Sequence, residues 1–524
     1  MHVDLEDAGA PAHFNTRICI VGAGVAGILL ASSLAAKGIA THLLEAGGLV
    51  FEERSQELFA VEDAGTPHSG ATEGRFRTFG GSSTRWGAQM LPYTQDVLHP
   101  PAALGLPEWP LELAEIEPYY REIEQFFAAS PRPFSDDLLQ EFGLSRPFIS
   151  DEVRLRFSKW APFTRRNLAG TLGKECLASP LVTVFTHANV LSIELNPNGS
   201  AVSSLTVTNY QGRRFQFSAQ TYVLGTGTIE TSRLLLASTS VCANGVGNCR
   251  DQVGRYFHDH IGVPAAEIPA SDRSKVVDRF APFLSGGTLH TPKLEATAAL
   301  RADQKLLSVM AHFPIEEPEN SGAGRVRAVL RGLQRRKFDR DVRQNLMALP
   351  AASVEVAQLL WSAKMKNRRA LSKGARIALH IDCEQRPDGQ SRIRLSAEKD
   401  RLDMPKAVVD WRVSDEEHET VRKFAQTIDR LLRDAGIASV AWHPELAEPG
   451  SRWLTRATDT YHMMGGARMG TDPSSSVVDS NLCVHGIENL FIASCAVFPT
   501  GGSSNPTFTM IALALRLKDR IAAS

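Results

Sequence analysis

No run of 18 apolar residues occurs in this chain of 524, which offers no membrane-spanning helix. The first 15 residues carry Asp4, Glu6 and Asp7 and lack the basic start and apolar centre of a secretory signal, so a cytoplasmic protein is expected. The seven cysteines are scattered and odd in number, and no C-x-x-C is present. That pattern supports neither a disulfide framework nor a zinc site. Net charge is almost absent, at −1, which argues against nucleic-acid binding by the chain as a whole. Internal repeats and low-complexity tracts are also missing. What is present, 43% hydrophobic and 22% charged residues, is ordinary for a globular protein. The length suits roughly two to four domains, or one large two-lobed enzyme.

The most informative stretch lies near the N-terminus. Ile18 to Val21 is a short apolar run that reads as a strand buried on both faces. Gly22, Gly24 and Gly27 follow as G-x-G-x-x-G: a tight turn, room for a pyrophosphate against the backbone, and close helix–strand packing. A second strand, Thr41 to Leu44, ends at Glu45, whose carboxylate can accept hydrogen bonds from a ribose. Strand, helix, second strand and terminal acid together predict a dinucleotide site.

Further along, Gly80-Gly81-Ser82-Ser83-Thr84-Arg85-Trp86-Gly87 suits a loop that wraps an anionic or planar group through its backbone. Residues 103–170 combine a helical pattern (Leu111 to Phe127) with seven prolines and read as an irregular lobe or lid. Strands are expected at 181–186, 190–195, 204–208 and 215–217, forming a small antiparallel sheet. Tyr222 to Leu224 then returns to the first sheet and leads through Gly225-Thr226-Gly227 into a helix, Ile229 to Ala237. Residues 266–454 read as a second, mostly β lobe, with strands at 377–383, 391–395 and 407–412 and a helix at 416–435. Within it, residues 321–376 hold 14 Lys and Arg against 3 Asp and Glu. Leu330, Leu333, Phe338, Leu346, Val356, Leu359 and Leu360 recur there at helical spacing, which predicts two helices with basic, solvated outer faces. His258 and His260 have no third ligand in sequence reach; no metal is expected, and Gly254 to Phe257 reads as the crossing into the second lobe.

Near the C-terminus, His462 and Asn505 each sit in a glycine-rich loop, at either side of an apolar strand, Leu490 to Ala493, expected to join the first sheet. A neutral imidazole can take a hydroxyl proton and an amide can orient the same oxygen. With Gly22–Gly27 and Glu45, Gly80–Gly87, Thr226–Leu236 and the stretch from His462 to Asn505, the chain resembles the glucose-methanol-choline (GMC) oxidoreductases over nearly its whole length.

The resemblance implies an α/β fold: a Rossmann-type FAD-binding domain (14–102, 171–265 and 455–524) and a substrate domain with a mostly antiparallel sheet and a lid (103–170 and 266–454). It implies oxidation of an alcohol to an aldehyde or ketone, with His462 as base, Asn505 as its partner and hydride transfer to flavin N5. The substrate class it implies is a sugar, glycoside or aminocyclitol, with oxygen or another electron acceptor. Expected at the cofactor are Gly22, Ala23, Gly24, Val25, Ala26, Gly27, Glu45, Ala46, Arg77, Gly80, Gly81, Ser82, Arg85, Trp86, Gly87 and Ala88, then Val190, Thr226, Gly227, Ser494, Cys495, Asn505, Pro506 and Thr507. Ser-Thr-Arg85-Trp is similar to the Ser-Thr-His-Trp whose histidine holds the flavin covalently in pyranose oxidases; arginine cannot form that bond, so FAD is expected to be non-covalent. Ser494 and Gly466-Ala467 depart from the family's usual residues beside the flavin. The alternatives are a non-redox, FAD-containing hydroxynitrile lyase, or a flavin-stabilised binding protein whose basic segment docks a partner.

Overall fold

A computed structural model describes all residues except 143–144, 335–339, 354–356, 358–360, 362–370, 373, 448–450 and 524. Its first sheet has eight strands, in the order His2–Asp4, Val182–Thr186, Thr41–Leu44, His13–Val21, Arg214–Leu224, Val202–Thr208 and Asn189–Leu195, with Leu490–Ile492 also paired to Arg214–Leu224. The pairs on either side of His13–Val21 are parallel, and Ile18, Ile20, Leu43, Val223 and Leu224 are at most 1% exposed. Both faces are therefore covered, as a parallel sheet requires.

The small antiparallel sheet expected from the sequence does not stand alone. Phe215–Phe217 and Tyr222–Leu224 belong to one 11-residue strand, which pairs with His13–Val21 along one edge. On its other edge it pairs antiparallel with Val202–Thr208 at one end and parallel with Leu490–Ile492 at the other. The strand passes from half-exposed to fully buried along its length, so its side-chain pattern changes midway and hides its continuity.

The second sheet has ten strands, in the order Ala441–Trp442, Ile261–Glu267, Arg376–Cys383, Val309–His312, Thr288–Ala296, Val153–Trp160 and Gln89–Met90, with Phe283–Ser285 also paired to Thr288–Ala296, Ile315–Glu316 to Arg376–Cys383 and Thr458–Asp459 to Ile261–Glu267. Alternation divides its faces. Ile261, Val263, Leu379, Ile381, Val309 and Ala311 are fully buried beneath the helix Asp415–Asp434, which presents Val421, Phe424, Ala425 and Ile428. A Ser414–Glu417 capping box starts that helix. The opposite face carries Arg156, Lys293, Glu295, His312, His380 and Asp382.

Three expectations change. The segment read as an irregular lobe supplies Val153–Trp160, paired over eight residues with Thr288–Ala296; prolines on either side masked a regular strand. Arg392–Lys399 and Pro405–Asp410 stand apart from the second sheet and form a three-stranded sheet with Val61–Asp63. In the basic segment, the helices Gly322–Gln334 and Arg340–Ala348 pack on one another with Val329 and Val342 buried, whereas Leu330 and Leu346 are exposed, so the apolar stripe runs out of phase with the expected one. Phe338, Val356, Leu359 and Leu360 lie outside the described residues.

Among the described residues no helix is long and apolar enough to cross a membrane. All seven cysteines are free thiols, although folding brings Cys242 and Cys249 to 3.2 Å between sulfurs, a proximity their spacing does not announce.

Candidate active site

The strand His13–Val21 delivers the chain into Gly22, where φ is +96° and glycine is needed. The helix Val25–Ala36 begins at once, and a Cβ on Gly27 would lie 1.9 Å from the Gly22 carbonyl oxygen. Only glycine lets helix and turn approach so closely. A Cβ on Gly24 would meet open space, so the helix N-terminus presents its backbone N–H groups to a cavity. Glu45, 5% exposed, accepts the Ala23 N–H at 3.0 Å and the Gly47 N–H at 2.9 Å. Burial raises its pKa, against the pull of those donors and of Arg77.

The second glycine loop docks on the first. Gly80 donates to the Ala23 carbonyl at 2.8 Å, and a Cβ on Gly81 would lie 2.9 Å from Gly24 Cα. The hydroxyls of Ser82, Ser83 and Thr84 bond the carbonyls of Gly74, Gly80 and Gly81, which leaves backbone facing the cavity. Arg85 stacks over Phe51 and Phe76, and Trp86 donates to the Arg166 carbonyl.

The cavity between these loops encloses about 640 Å³, within the range of cofactor and ligand sites. Of the residues expected at the cofactor, all but Ala23, Gly27 and Gly80 line it, and those three shape it from behind. Arg77 Nε is buried there without a partner among the described residues. Two glycine cradles, a helix N-terminus and an acid at the end of the second strand fit a dinucleotide, and FAD is the group this site suits. Ser494 caps the turn at Cys495–Val497 by accepting the Ala496 N–H. Gly466 has φ +87°, and a Cβ there would lie 2.4 Å from Ser232 Oγ, which explains why no larger residue follows Gly465.

At the inner end of the cavity, the Asn505 amide nitrogen lies 3.0 Å from His462 Nε2. Pro506 starts the helix Pro506–Ala523 and fixes Asn505 at its mouth. His462 Nδ1 lies 2.8 Å from Thr460 Oγ1 and 3.0 Å from His260 Nδ1. His260 Nε2 lies 3.0 Å from the Gly501 carbonyl, which only accepts, so that nitrogen carries the proton and His260 Nδ1 is an acceptor. Thr460 donates its own hydroxyl to Asp259 Oδ1 at 3.1 Å. Both neighbours of His462 Nδ1 therefore accept, the proton sits on Nδ1, and Nε2 offers a lone pair. Burial, with His260 adding to it, pushes the His462 pKa down to about 4, while Asp259 and Asp382 oppose.

Asp259 is fully buried. It accepts the His462 backbone N–H at 2.9 Å, the His260 N–H at 2.7 Å and the ring of His68 at 3.2 Å. His68 Nδ1 accepts from Ala71, so its Nε2–H points at the carboxylate. Burial would raise the Asp259 pKa, but the bond from His68 and nearby positive charge hold it below the usual carboxylate range. The sequence gives no signal for His68, Asp259 and Thr460. His258 and His260 read there as structural for want of a third ligand, and the alternative, contact with another histidine two hundred residues away, has no local signature.

The family model described as GMC oxidoreductase matches residues 387–514, which include His462 and Asn505. That match likens the C-terminal part of the chain to the GMC oxidoreductases. The chain is 25% identical to the fructose dehydrogenase large subunit of Gluconobacter japonicus, over 96% of this chain and 97% of that one. To the 6'''-hydroxyparomomycin C oxidase of Streptomyces lividus it is 22% identical, over 97% and 91%. The structure of formate oxidase superposes with a TM-score of 0.61 at 17% identity, covering 98% of this chain and 99% of the other. The chain thus shares the two-domain α/β fold of that structure.

Proposed function

We propose that this protein uses non-covalently held FAD to oxidise a hydroxyl of a sugar, glycoside or aminocyclitol to a carbonyl, with His462 as base and Asn505 as its partner. The observation that carries the reading is the pair Asn505–His462, 3.0 Å apart at the inner end of the cavity. Residues 14–102, 171–265 and 455–524 would hold the cofactor, and 103–170 with 266–454 would cover the substrate. The names of the sugar dehydrogenase and aminoglycoside oxidase relatives support that substrate class.

The helix N-terminus at Gly24 and the backbone of both glycine loops would bind the diphosphate, and Glu45 the ribose. When bound, FAD supplies the acceptor for the hydride. His462 Nε2 accepts the hydroxyl proton, and the Asn505 amide N–H donates to the same oxygen and orients it. As His462 becomes cationic, the buried Asp259 carboxylate stabilises it electrostatically. Backbone N–H groups at the start of the helix Pro506–Ala523 favour negative charge at the reacting end of the cavity.

Anaerobic addition of sugars, glycosides and aminocyclitols should bleach the visible flavin band with at least one group. Bleaching by dithionite alone would overturn the reading. With Arg85 in place of a linking histidine, acid precipitation should leave the yellow colour in the supernatant; colour retained in the pellet would show a covalent bond. His260→Ala should slow flavin reduction about tenfold with FAD binding unchanged, and His260→Ala with Thr460→Val by about 10², because the second variant leaves the Nδ1 proton no acceptor. Stopped-flow absorbance measures both.

A further inference from the structure

The polar face of the ten-stranded sheet holds a group of side chains that neither the cofactor cradle nor the proton relay uses. Lys293, His312 and His380 lie side by side on three adjacent strands, since Lys293 is next to the Leu294–Ala311 pair and His312 pairs with His380. Asp382, two residues along from His380, points to the same face. Lys293 Nζ is 3.4 Å from Asp382 Oδ2, His312 Nδ1 is 3.2 Å from that oxygen, and His380 Nε2 is 3.3 Å from Oδ1.

The position of this group relative to His462 follows from the strands. Glu295 and Glu384 pin the sheet to the loop that leads to Asn505, accepting from Ser503 Oγ at 3.2 Å and from the Gly502 N–H at 2.9 Å. Lys293 and Asp382 each lie two residues before one of these glutamates, about 7 Å further along the same face. A Cβ on Gly262 would sit 3.0 Å from His380 Nε2 and 3.1 Å from Thr460 Cγ2, so His380 is also a neighbour of the residue that bonds His462. The charges of both Asp382 and Lys293 reach the His462 ring.

The group is incompletely satisfied. Lys293 is 5% exposed and has three donors, of which, among the described residues, the contact with Asp382 uses one. Among the described residues, His312 Nδ1 is buried without an aligned hydrogen bond. Unused donors on a nearly buried ammonium are costly unless a ligand takes them. His312, His380 and Asp382 keep about a fifth of their side-chain surface, so the face is reachable.

We propose that Lys293, Asp382, His312 and His380 form a subsite that holds the remote hydroxyls of a polyhydroxylated substrate while His462 and Asn505 engage the reacting one. The identification of the reacting end rests on the function proposed above. Lys293 and Asp382 cancel in charge, which favours a neutral polyol over an anion or a cation. A hydroxyl is both donor and acceptor, and this group offers ammonium donors, carboxylate acceptors and two imidazoles. A wall for an apolar alcohol would have continued the aliphatic pattern found on the other face of the sheet.

The test is calorimetric titration of the FAD-loaded protein, held oxidised, with D-sorbitol and methyl β-D-glucopyranoside, and with 1-butanol as the monohydric probe. The wild type should bind the polyols more tightly than 1-butanol. In Lys293→Met and His380→Ala, the polyol dissociation constants should rise at least about tenfold, and the preference over 1-butanol should shrink. The flavin band and melting temperature report folding. His380→Ala, at a partly exposed side chain, keeps the test open if Lys293→Met does not fold. A wild type that binds neither polyol, or folded variants that bind them as the wild type does, would overturn the subsite. Flavin that no alcohol reduces would instead overturn the proposed oxidation, and a polyol-binding result would stand beside it.

Discussion

His462→Ala should retain FAD and slow flavin reduction by its alcohol substrate at least ~10². The two outcomes separate because the residues that would hold the diphosphate and ribose sit at the Gly22–Gly27 turn, Glu45 and the second glycine loop, away from the imidazole. Removing the ring deletes the one lone pair that the relay from Gly501 through His260 keeps unprotonated and aimed at Asn505. The pH dependence carries the same signature. Burial lowers the His462 pKa to about 4, so the base is ready at neutral pH, and the wild-type rate should fall only as the pH drops toward that value. The variant should lack this acid limb. Stopped-flow reduction across the pH range measures both, and a variant as fast as the wild type would remove His462 from the mechanism.

The parts legible in the sequence are those whose chemistry is local. Gly22, Gly24 and Gly27 must be read together within one turn, and Glu45 ends the next strand, so spacing alone conveys the cradle. The strand Arg214–Leu224 was half legible, because its partners change along its length and its pattern changes with them. Val153–Trp160 was lost among prolines because its pairing partner lies well over a hundred residues downstream. The same distance hid the relay: His260 meets His462 across 202 residues, and His68 meets Asp259 across 191. Lys293, His312 and His380 look unremarkable singly, and only strand register brings them to one row.

Asp259→Asn should destabilise the protein by ~3 kcal/mol or more and slow flavin reduction by about 10² even in molecules that retain FAD. In the wild type this carboxylate accepts from the His68 ring, the Thr460 hydroxyl and backbone N–H, and the backbone N–H groups of His260 and His462, with the Asp459 carboxylate also nearby. An amide keeps one oxygen for them and turns an NH₂ toward the rest, leaving buried donors opposed to donors. The local consequence is catalytic, because Asp259 fixes both the His462 main chain and the Thr460 hydroxyl that accepts from Nδ1. A shift of a few tenths of an ångström there moves Nε2 relative to Asn505. The pH behaviour has a definite sign. Burial pushes the Asp259 pKa up, but its hydrogen bond and nearby charge hold it below the ordinary carboxylate value, so folding favours the ionised form. That stabilisation is complete above the unfolded carboxylate pKa of ~3.9 and is lost as the pH falls through the lower folded value. The gap between wild type and variant should therefore be widest near neutrality and close in strong acid. Denaturant melts at neutral and acid pH, paired with reduction kinetics, test it; a variant with wild-type stability and rate would show that the carboxylate neither holds the fold nor places the base.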